Sequence, residues 1–192
     1  MIAEALGRRD DFDRTQRRFY AREIGEDEHL ENMLRIAEGA RLETVEAALA
    51  ATPKLERIAA GIDRCHRAGT RVALLTHNPP YVCEWYRRTF GFDDYEGTGA
   101  QPVVEGVIGA PRDVRADKPR GLARLVDRAG GSARTVVHIG DGWADAALFP
   151  LVGRGVALNS RLPEVERAAD VVLHTRDFDE VARTVGRLAP RP

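Results

Sequence analysis

The sequence predicts an α/β protein in which a doubly wound parallel sheet is joined to a helical subdomain. Three observations carry that expectation. Residues 1–52 place apolar side chains at three- and four-residue steps and contain no credible strand. From residue 53 to 192, short continuous apolar runs alternate with helical stretches, as parallel strands covered on both faces do. A hydrophobic content of 43% over 192 residues supports one core with a small added subdomain.

In the first segment Phe12, Phe19 and Tyr20, then Leu30, Met33, Leu34 and Ala37, then Leu42, Val45 and Leu49 mark successive helix faces. Leu55, Ile58, Ala59, Ile62 and Cys65 form one face of a further helix that stops near Gly69. Arg71-Val-Ala-Leu-Leu75 is short, apolar and suited to a buried parallel strand. A helix through Trp85 and Phe90 ends at Gly91, residues 102–109 read as a hairpin or edge segment, and a helix follows Asp117. Strands Thr135 to Ile139, Gly155 to Leu158 and Val171 to His174 then alternate with helices near 143–150, 163–168 and 178–188.

Composition excludes several function classes. The 29 basic and 30 acidic residues nearly cancel, which argues against a nucleic-acid partner. No apolar run approaches the roughly 20 residues that span a bilayer. The opening Met-Ile-Ala-Glu-Ala-Leu-Gly-Arg-Arg is too short in apolar length and too charged for a secretory signal, so a cytoplasmic protein with no membrane partner is expected. Cys65 and Cys83, widely spaced, fit buried thiols in a reducing compartment. No glycine-rich phosphate loop of common spacing is present, which disfavours a nucleotide-binding module.

Ligands in such sheets bind at the carboxyl ends of the strands, and three motifs fall there. Thr76-His77-Asn78-Pro79 follows the first strand, where a hydroxyl and helix-start amides can hold a phosphate; Thr76 or Asn78 could equally cap the next helix. Ala116-Asp-Lys-Pro puts Lys118 in a helix first turn, against the dipole, unless an anion sits before it; a solvated lysine is the plain alternative. Gly140-Asp-Gly-Trp-Ala-Asp145 sets two carboxylates four apart across a turn, where they can share one Mg²⁺. The plain alternative is that Asp145 simply favours a helix start.

Together, a hydroxyl residue after one strand, a lysine 42 positions on and Gly-Asp-Gly-x-x-Asp a further 23 positions on resemble the haloacid dehalogenase superfamily of phosphatases, closest to its phosphoserine-phosphatase-like branch. The resemblance covers essentially the whole chain. It implies a Rossmann-like core over 53–192, a helical cap over 1–52, Mg²⁺ as cofactor and a small phosphorylated metabolite as substrate. By the same resemblance, Thr76, with His77 and Asn78, would hold the phosphoryl oxygens, and Lys118 would neutralise them and orient the nucleophile. Asp141 would ligate Mg²⁺, and Asp145 would hold the metal directly or through its water shell.

The family opens with an apolar strand ending in Asp-x-Asp-x-Thr, whose first aspartate is the nucleophile and second the general acid/base. Asp11-Phe-Asp13-Arg-Thr15 has that spelling. The heavily charged residues before it cannot form a buried strand, and Gln16-Arg-Arg-Phe-Tyr continues as an amphipathic helix, so Asp11 and Asp13 read as an acidic first turn. The nucleophile motif is therefore expected upstream of Met1. The alternatives are an inactive homologue that binds phosphate or a protein partner, and an unusual placement of Asp11. Loss of that strand would leave sheet edges that another segment must pair. Residues 26–33 lack the aromatic and the arginine that the branch uses to hold phosphoserine, which points away from that substrate. His77 and Trp143 flank the expected crevice, and the remaining histidines read as structural.

Overall fold

The computed structural model describes residues 2–188. Residue 1 and residues 189–192, the outer ends of the two expected segments, lie outside it. In chain order the elements are helices α1 (Ile2–Ala5), α2 (Arg9–Tyr20), α3 (Glu26–Arg35), α4 (Leu42–Ala51) and α5 (Ile58–Arg67), strand β1 (Ala73–Leu75), helix α6 (Pro80–Phe90), strands β2 (Asp94–Glu96), β3 (Val103–Val104) and β4 (Val107–Ile108), helix α7 (Lys118–Arg128), strand β5 (Val137–Gly140), helix α8 (Trp143–Ala146), strand β6 (Arg154–Leu158), helix α9 (Pro163–Ala168), strand β7 (Val171–Leu173) and helix α10 (Phe178–Leu188). They group into two compact units.

The first unit takes the residues up to Pro53 together with Thr76–Tyr86 and Gly97–Asp117. It buries Leu30, Leu34, Ala37, Val45 and Leu49 among the positions that the three- and four-residue steps mark, whereas on the first marked face Phe12 and Phe19 are only half buried and Tyr20 is exposed. The β3–β4 hairpin is tied to the α3–α4 connection by Gly39 N–H to Ile108 O (2.8 Å) and Ile108 N–H to Ala40 O (2.9 Å), and Ile108 is fully buried. Buried Gln101 donates through Nε2 to the carbonyls of buried Leu34 and half-buried Gly109, each at 3.0 Å, which satisfies both backbone acceptors.

The second unit takes Lys54–Leu75, Arg87–Glu96 and the chain from Lys118 onward. It holds the parallel strands. β1 pairs with β2 (Leu74 opposite Tyr95), and β5, β6 and β7 form a sheet in that order (Ile139 opposite Val156, Ala157 opposite Val172). Helix α5 packs closely on α10 because Gly61 has no Cβ: one placed there would lie 2.6 Å from Phe178 Cδ1. Leu122 of α7 packs with Leu148 and Val152, and Leu75, Val126 and Val136 close over that cluster.

Four departures from the sequence reading have local causes. The strand expected from Thr135 begins at Val137, because Ser132 caps a 3₁₀ turn over Ala133–Thr135 whose Thr135 Oγ1 donates to Ser132 O (2.8 Å). The helix expected over 143–150 stops at Ala146 and resumes as a 3₁₀ turn at Phe149–Leu151, where Pro150 lacks an N–H for a longer helix. Strand β2 has no apolar signal at all. Its acids are matched instead, Asp94 by Arg128 (2.9 Å) and Glu96 by Arg124 (2.6 Å) from α7.

The fourth departure concerns the sheet. Leu75 of β1 and Val136 just before β5 share the Leu122 cluster, yet no ladder joins β1 to β5 among the described residues. Leu74, Leu75, Val137 and Ile139 are consequently only half buried, although runs of this kind are normally covered on both faces. The parallel strands thus form two sheets in place of one.

Candidate functional site

β5 runs Val137-His-Ile-Gly140 into the turn Asp141-Gly142 and the short helix α8. Alternate residues of a strand share a face, so His138 and Gly140 lie on one side. That side meets Asp145: a Cβ at Gly140 would overlap the Asp145 carboxylate, and His138 Nε2 lies 3.0 Å from Asp145 Oδ1. The backbone N–H groups of Asp141 and Gly142 both donate to Asp145 Oδ2, at 3.2 Å each. Lys118, the first residue of α7, places its Nζ 2.6 Å from Asp145 Oδ1.

Asp145 is 5% exposed and His138 7%. A buried carboxylate survives only when paired and hydrogen-bonded. Burial by itself pushes the Asp145 carboxyl up. The His138 hydrogen bond and the Lys118 charge and hydrogen bond outweigh it and hold the group well below the usual carboxylate range. Its two oxygens thus take four donors, the full acceptor capacity of a carboxylate.

Both oxygens of Asp145, expected to hold a metal directly or through its water shell, are thus engaged by protein donors. Among the described residues no group of three or more His, Cys, Asp or Glu side chains is placed to hold a metal ion. The expected pair divides: Asp145 folds back under the turn as an anchor, while Asp141 is exposed at the end of β5. The main chain of Asp141 is fixed by buried Ser160, whose Oγ donates to its carbonyl at 2.8 Å. The Asp141 carboxylate, in contrast, lies on an exposed residue. The anion that offsets Lys118 against its helix dipole is internal, namely Asp145.

Trp143 begins α8, remains 49% exposed and donates its Nε1–H to Glu164 at 2.7 Å.

Thr76, His77 and Asn78 belong to the first unit. Thr76 Oγ1 accepts from Asn78 N–H (3.1 Å) and from Asn78 Nδ2 (2.8 Å), a local turn in which the hydroxyl caps the chain. Of the amides expected to meet a phosphate, that of Asn78 is thereby engaged by Thr76. The Thr76 O–H itself remains a donor, since both of these bonds use its lone pairs. His77 Nδ1 lies 3.9 Å from Glu26 Oε1, and Asn78 O accepts from Thr98 N–H at 2.9 Å.

Asp11 and Asp13 lie inside α2, not at the end of a strand. Asp11 is paired with Arg14 and, at 3.6 Å, with Arg8; Asp13 is paired with Arg9 at 3.0 Å. These are surface ion pairs within one helix, with Asp11 in its first turn as expected but Asp13 in the second.

The residue that sequence reasoning missed is His138. Its partner lies seven positions away across a strand, a turn and a helix start, and no ligand spacing marks it. A usable signal was present: a histidine two places before Gly140 on the strand shares that glycine's face, and the glycine is there because Asp145 comes close.

The family of haloacid dehalogenase-like hydrolases matches residues 3–153, a stretch that contains Thr76, Lys118, Asp141 and Asp145. Phosphoglycolate phosphatase of Methanopyrus kandleri is 40% identical over 74 residues, which are 38% of this chain and 32% of that protein. The chain therefore spans about a third of the length of this curated relative. Among solved structures, a haloacid dehalogenase family hydrolase of Salmonella enterica serovar Typhi superposes with a TM-score of 0.82 at 13% identity, covering 94% of this chain and 63% of that one. A substrate-bound phosphoserine phosphatase superposes with a TM-score of 0.77 at 18% identity, covering 95% and 88%. At such identities the structural likeness establishes the fold, a Rossmann-like α/β architecture. With more than three-quarters of its length matched by the family, the chain belongs to the haloacid dehalogenase-like hydrolases.

Proposed function

We propose that this chain is the phosphate-handling part of a Mg²⁺-dependent phosphomonoester hydrolase acting on a small phosphorylated metabolite. The observation that carries the reading is the buried Lys118–Asp145 pair at 2.6 Å beside the exposed Asp141. An ammonium fixed at a helix start and a carboxylate at a strand end suit the main demand of phosphoryl transfer, which is positioning and neutralising charge on the transferring group. Lys118 keeps two further N–H donors for phosphoryl oxygens. Mg²⁺, when bound, would be held by Asp141 and would neutralise the same oxygens. Thr76, which follows β1 directly in the chain, is the proposed further phosphate contact through its O–H, with His77 and Asn78 as its neighbours in that turn. The helices within residues 1–52 are the proposed cap, and a cytoplasmic setting is proposed with them; among the described residues no helix is long and apolar enough to cross a membrane.

The nucleophile is proposed to reside on a strand that seats between β1 and β5. Support comes from the half-covered apolar side chains of those two strands and from their unjoined ladders. Asp11 is unsuited to the role because α2 commits it to arginine partners.

The test is Mg²⁺-dependent hydrolysis of a generic aryl phosphate by the 192-residue chain and by a form that includes the codons before Met1. The expected result is turnover in the form that supplies Asp-x-Asp-x-Thr, lowered at least about 100-fold by Asp141→Asn or Lys118→Met and unchanged by Asp11→Asn. Turnover indifferent to Asp141→Asn would overturn the assignment. Mg²⁺-dependent phosphate binding with no turnover in either form would instead favour an inactive homologue.

A further inference from the structure

The proposed chemistry leaves the buried His138 beside Asp145 without a task. His138 sits on β5 with its ring 6.0 Å from that of Phe149, tilted by 53°, and its Nε2 3.0 Å from Asp145 Oδ1. The same oxygen receives Lys118 Nζ. Oδ1 therefore joins two donors from two different elements, β5 and α7, while Oδ2 is occupied by the turn's backbone.

We infer that His138 is a positioning residue for Lys118: it donates Nε2–H to Asp145 Oδ1 and so fixes the oxygen on which the Lys118 ammonium rests. The tautomer follows from the partner. A carboxylate charged in this setting accepts only, so the imidazole nitrogen facing it carries the proton. The carboxylate has two soft torsions, and the backbone amides on Oδ2 hold one end of it. Without the second anchor on Oδ1, the carboxylate can rotate about the Oδ2 contacts, and the flexible lysine stem follows its partner. A phosphate-facing charge displaced by a fraction of an ångström loses much of its effect in a site where geometry carries the chemistry. The clamp is built on a strand packed by Phe149, which makes it rigid at its base.

This inference rests on the phosphomonoesterase reading for the consequence at Lys118, but its physical core can be read without any ligand. The variants are His138→Leu, which removes the donor while keeping an apolar side chain against Phe149, and His138→Gln, whose amide can reach with an N–H where Nε2 stood. Side-chain ¹⁵N spectra of the ligand-free chain should show a slowly exchanging Lys118 ammonium. His138→Leu should speed that exchange at least about tenfold and weaken inorganic phosphate binding by a similar factor, and His138→Gln should restore most of both. Urea midpoints, measured alongside, identify a variant that has merely unfolded, and the Gln variant then carries the comparison. Lys118 exchange that is unchanged in His138→Leu, or no better in His138→Gln than in His138→Leu, overturns the clamp. Absence of phosphate binding by the parent chain would count against the phosphomonoesterase reading and not against the clamp, because the Lys118 signal reports it directly.

Discussion

Two strand-exit turns of this protein are closed in opposite ways. After β5, Gly140-Asp-Gly is closed by a buried carboxylate that also carries a lysine and a histidine from other elements. After β1, Thr76-His-Asn is closed by a hydroxyl that bonds only two residues on, and Asn78 is exposed. The first turn is over-determined: four donors fix one side chain, and removing any part leaves a buried charge or a buried donor unsatisfied. The second keeps one backbone bond to buried Thr98, at Asn78 O, but the bonds its hydroxyl makes are exposed and can be exchanged for water at little loss. The two turns should therefore respond differently in stability when their closing side chains are replaced.

Asp145→Asn attacks the rigid turn hardest. It removes the charge that balances Lys118 and presents an amide N–H to atoms that are themselves donors. Breaking a buried pair in this way should lower unfolding stability by about 3 kcal/mol, read from the urea midpoint. Acid titration gives the same comparison with a sign. The folded carboxyl keeps its charge to lower pH than the ordinary 3.8, because His138 and Lys118 outweigh its burial. The unfolded chain therefore takes up this proton first, the contribution is complete above about pH 4, and it drains as the pH falls further. Asp145→Asn should flatten the acid limb of the stability profile, whereas Thr76→Val should leave it unaltered. A parent and an Asp145→Asn profile of equal slope below pH 4 would break the comparison at its root.

The legible part of this protein was the part with period. Apolar runs marked β1, β5, β6 and β7, and α9 and α10 fall where the spacing of apolar residues places them. The chemical motifs were legible as residue types at chain positions, because Lys118, Asp141 and Asp145 carry charge that a solvated loop does not require in that order. What the sequence hid were partners. A carboxylate beside a glycine turn offers the same letters whether it faces out or folds back, so the pairing of Asp145 with Lys118, 27 positions earlier, is not visible in the sequence. His138 was hidden for the same reason, and β2 because its stabilisation lies in arginines of α7 and not in its own Asp-Tyr-Glu. Apolar periodicity is local and survives in a sequence, while a charge's partner is a tertiary fact.

Glycines sharpen the contrast at intermediate size. Each turn has one at a close approach: Gly140, where a Cβ would run into the Asp145 carboxylate, and Gly97, where it would lie 2.7 Å from Asn78 O. The Asp145 side chain cannot yield without releasing four hydrogen bonds, so Gly140→Ala should cost about 2 kcal/mol. At Gly97 the close atoms are Asn78 O, Cys83 Sγ and Pro80 N, and Asn78 O, on an exposed residue, has one backbone bond to yield, from Thr98 N–H, so Gly97→Ala should cost nearer about 1 kcal/mol. Urea midpoints in the reverse order would show that the hydroxyl-closed turn is the stiffer of the two.

The smallest expected change in stability carries the most information about the adaptable turn. Thr76→Val removes a hydroxyl that accepts from Asn78 N–H and Asn78 Nδ2, and water can replace it at both, so unfolding stability should fall by only about 0.5 kcal/mol. If the Thr76 O–H donates to a phosphoryl oxygen, however, its loss removes a hydrogen bond to a charged group, worth about 1.5 kcal/mol, or roughly tenfold in affinity for inorganic phosphate. Thr76→Ser keeps the donor and should bind as the parent does. Fold loss and binding loss would then differ about threefold in free energy at one side chain, which a residue that merely caps a turn cannot produce: a cap that weakens the fold by 0.5 kcal/mol has no route to a larger effect on a ligand it does not touch. Equal, small changes in both measurements would assign Thr76 to the turn alone and leave the phosphate to Lys118.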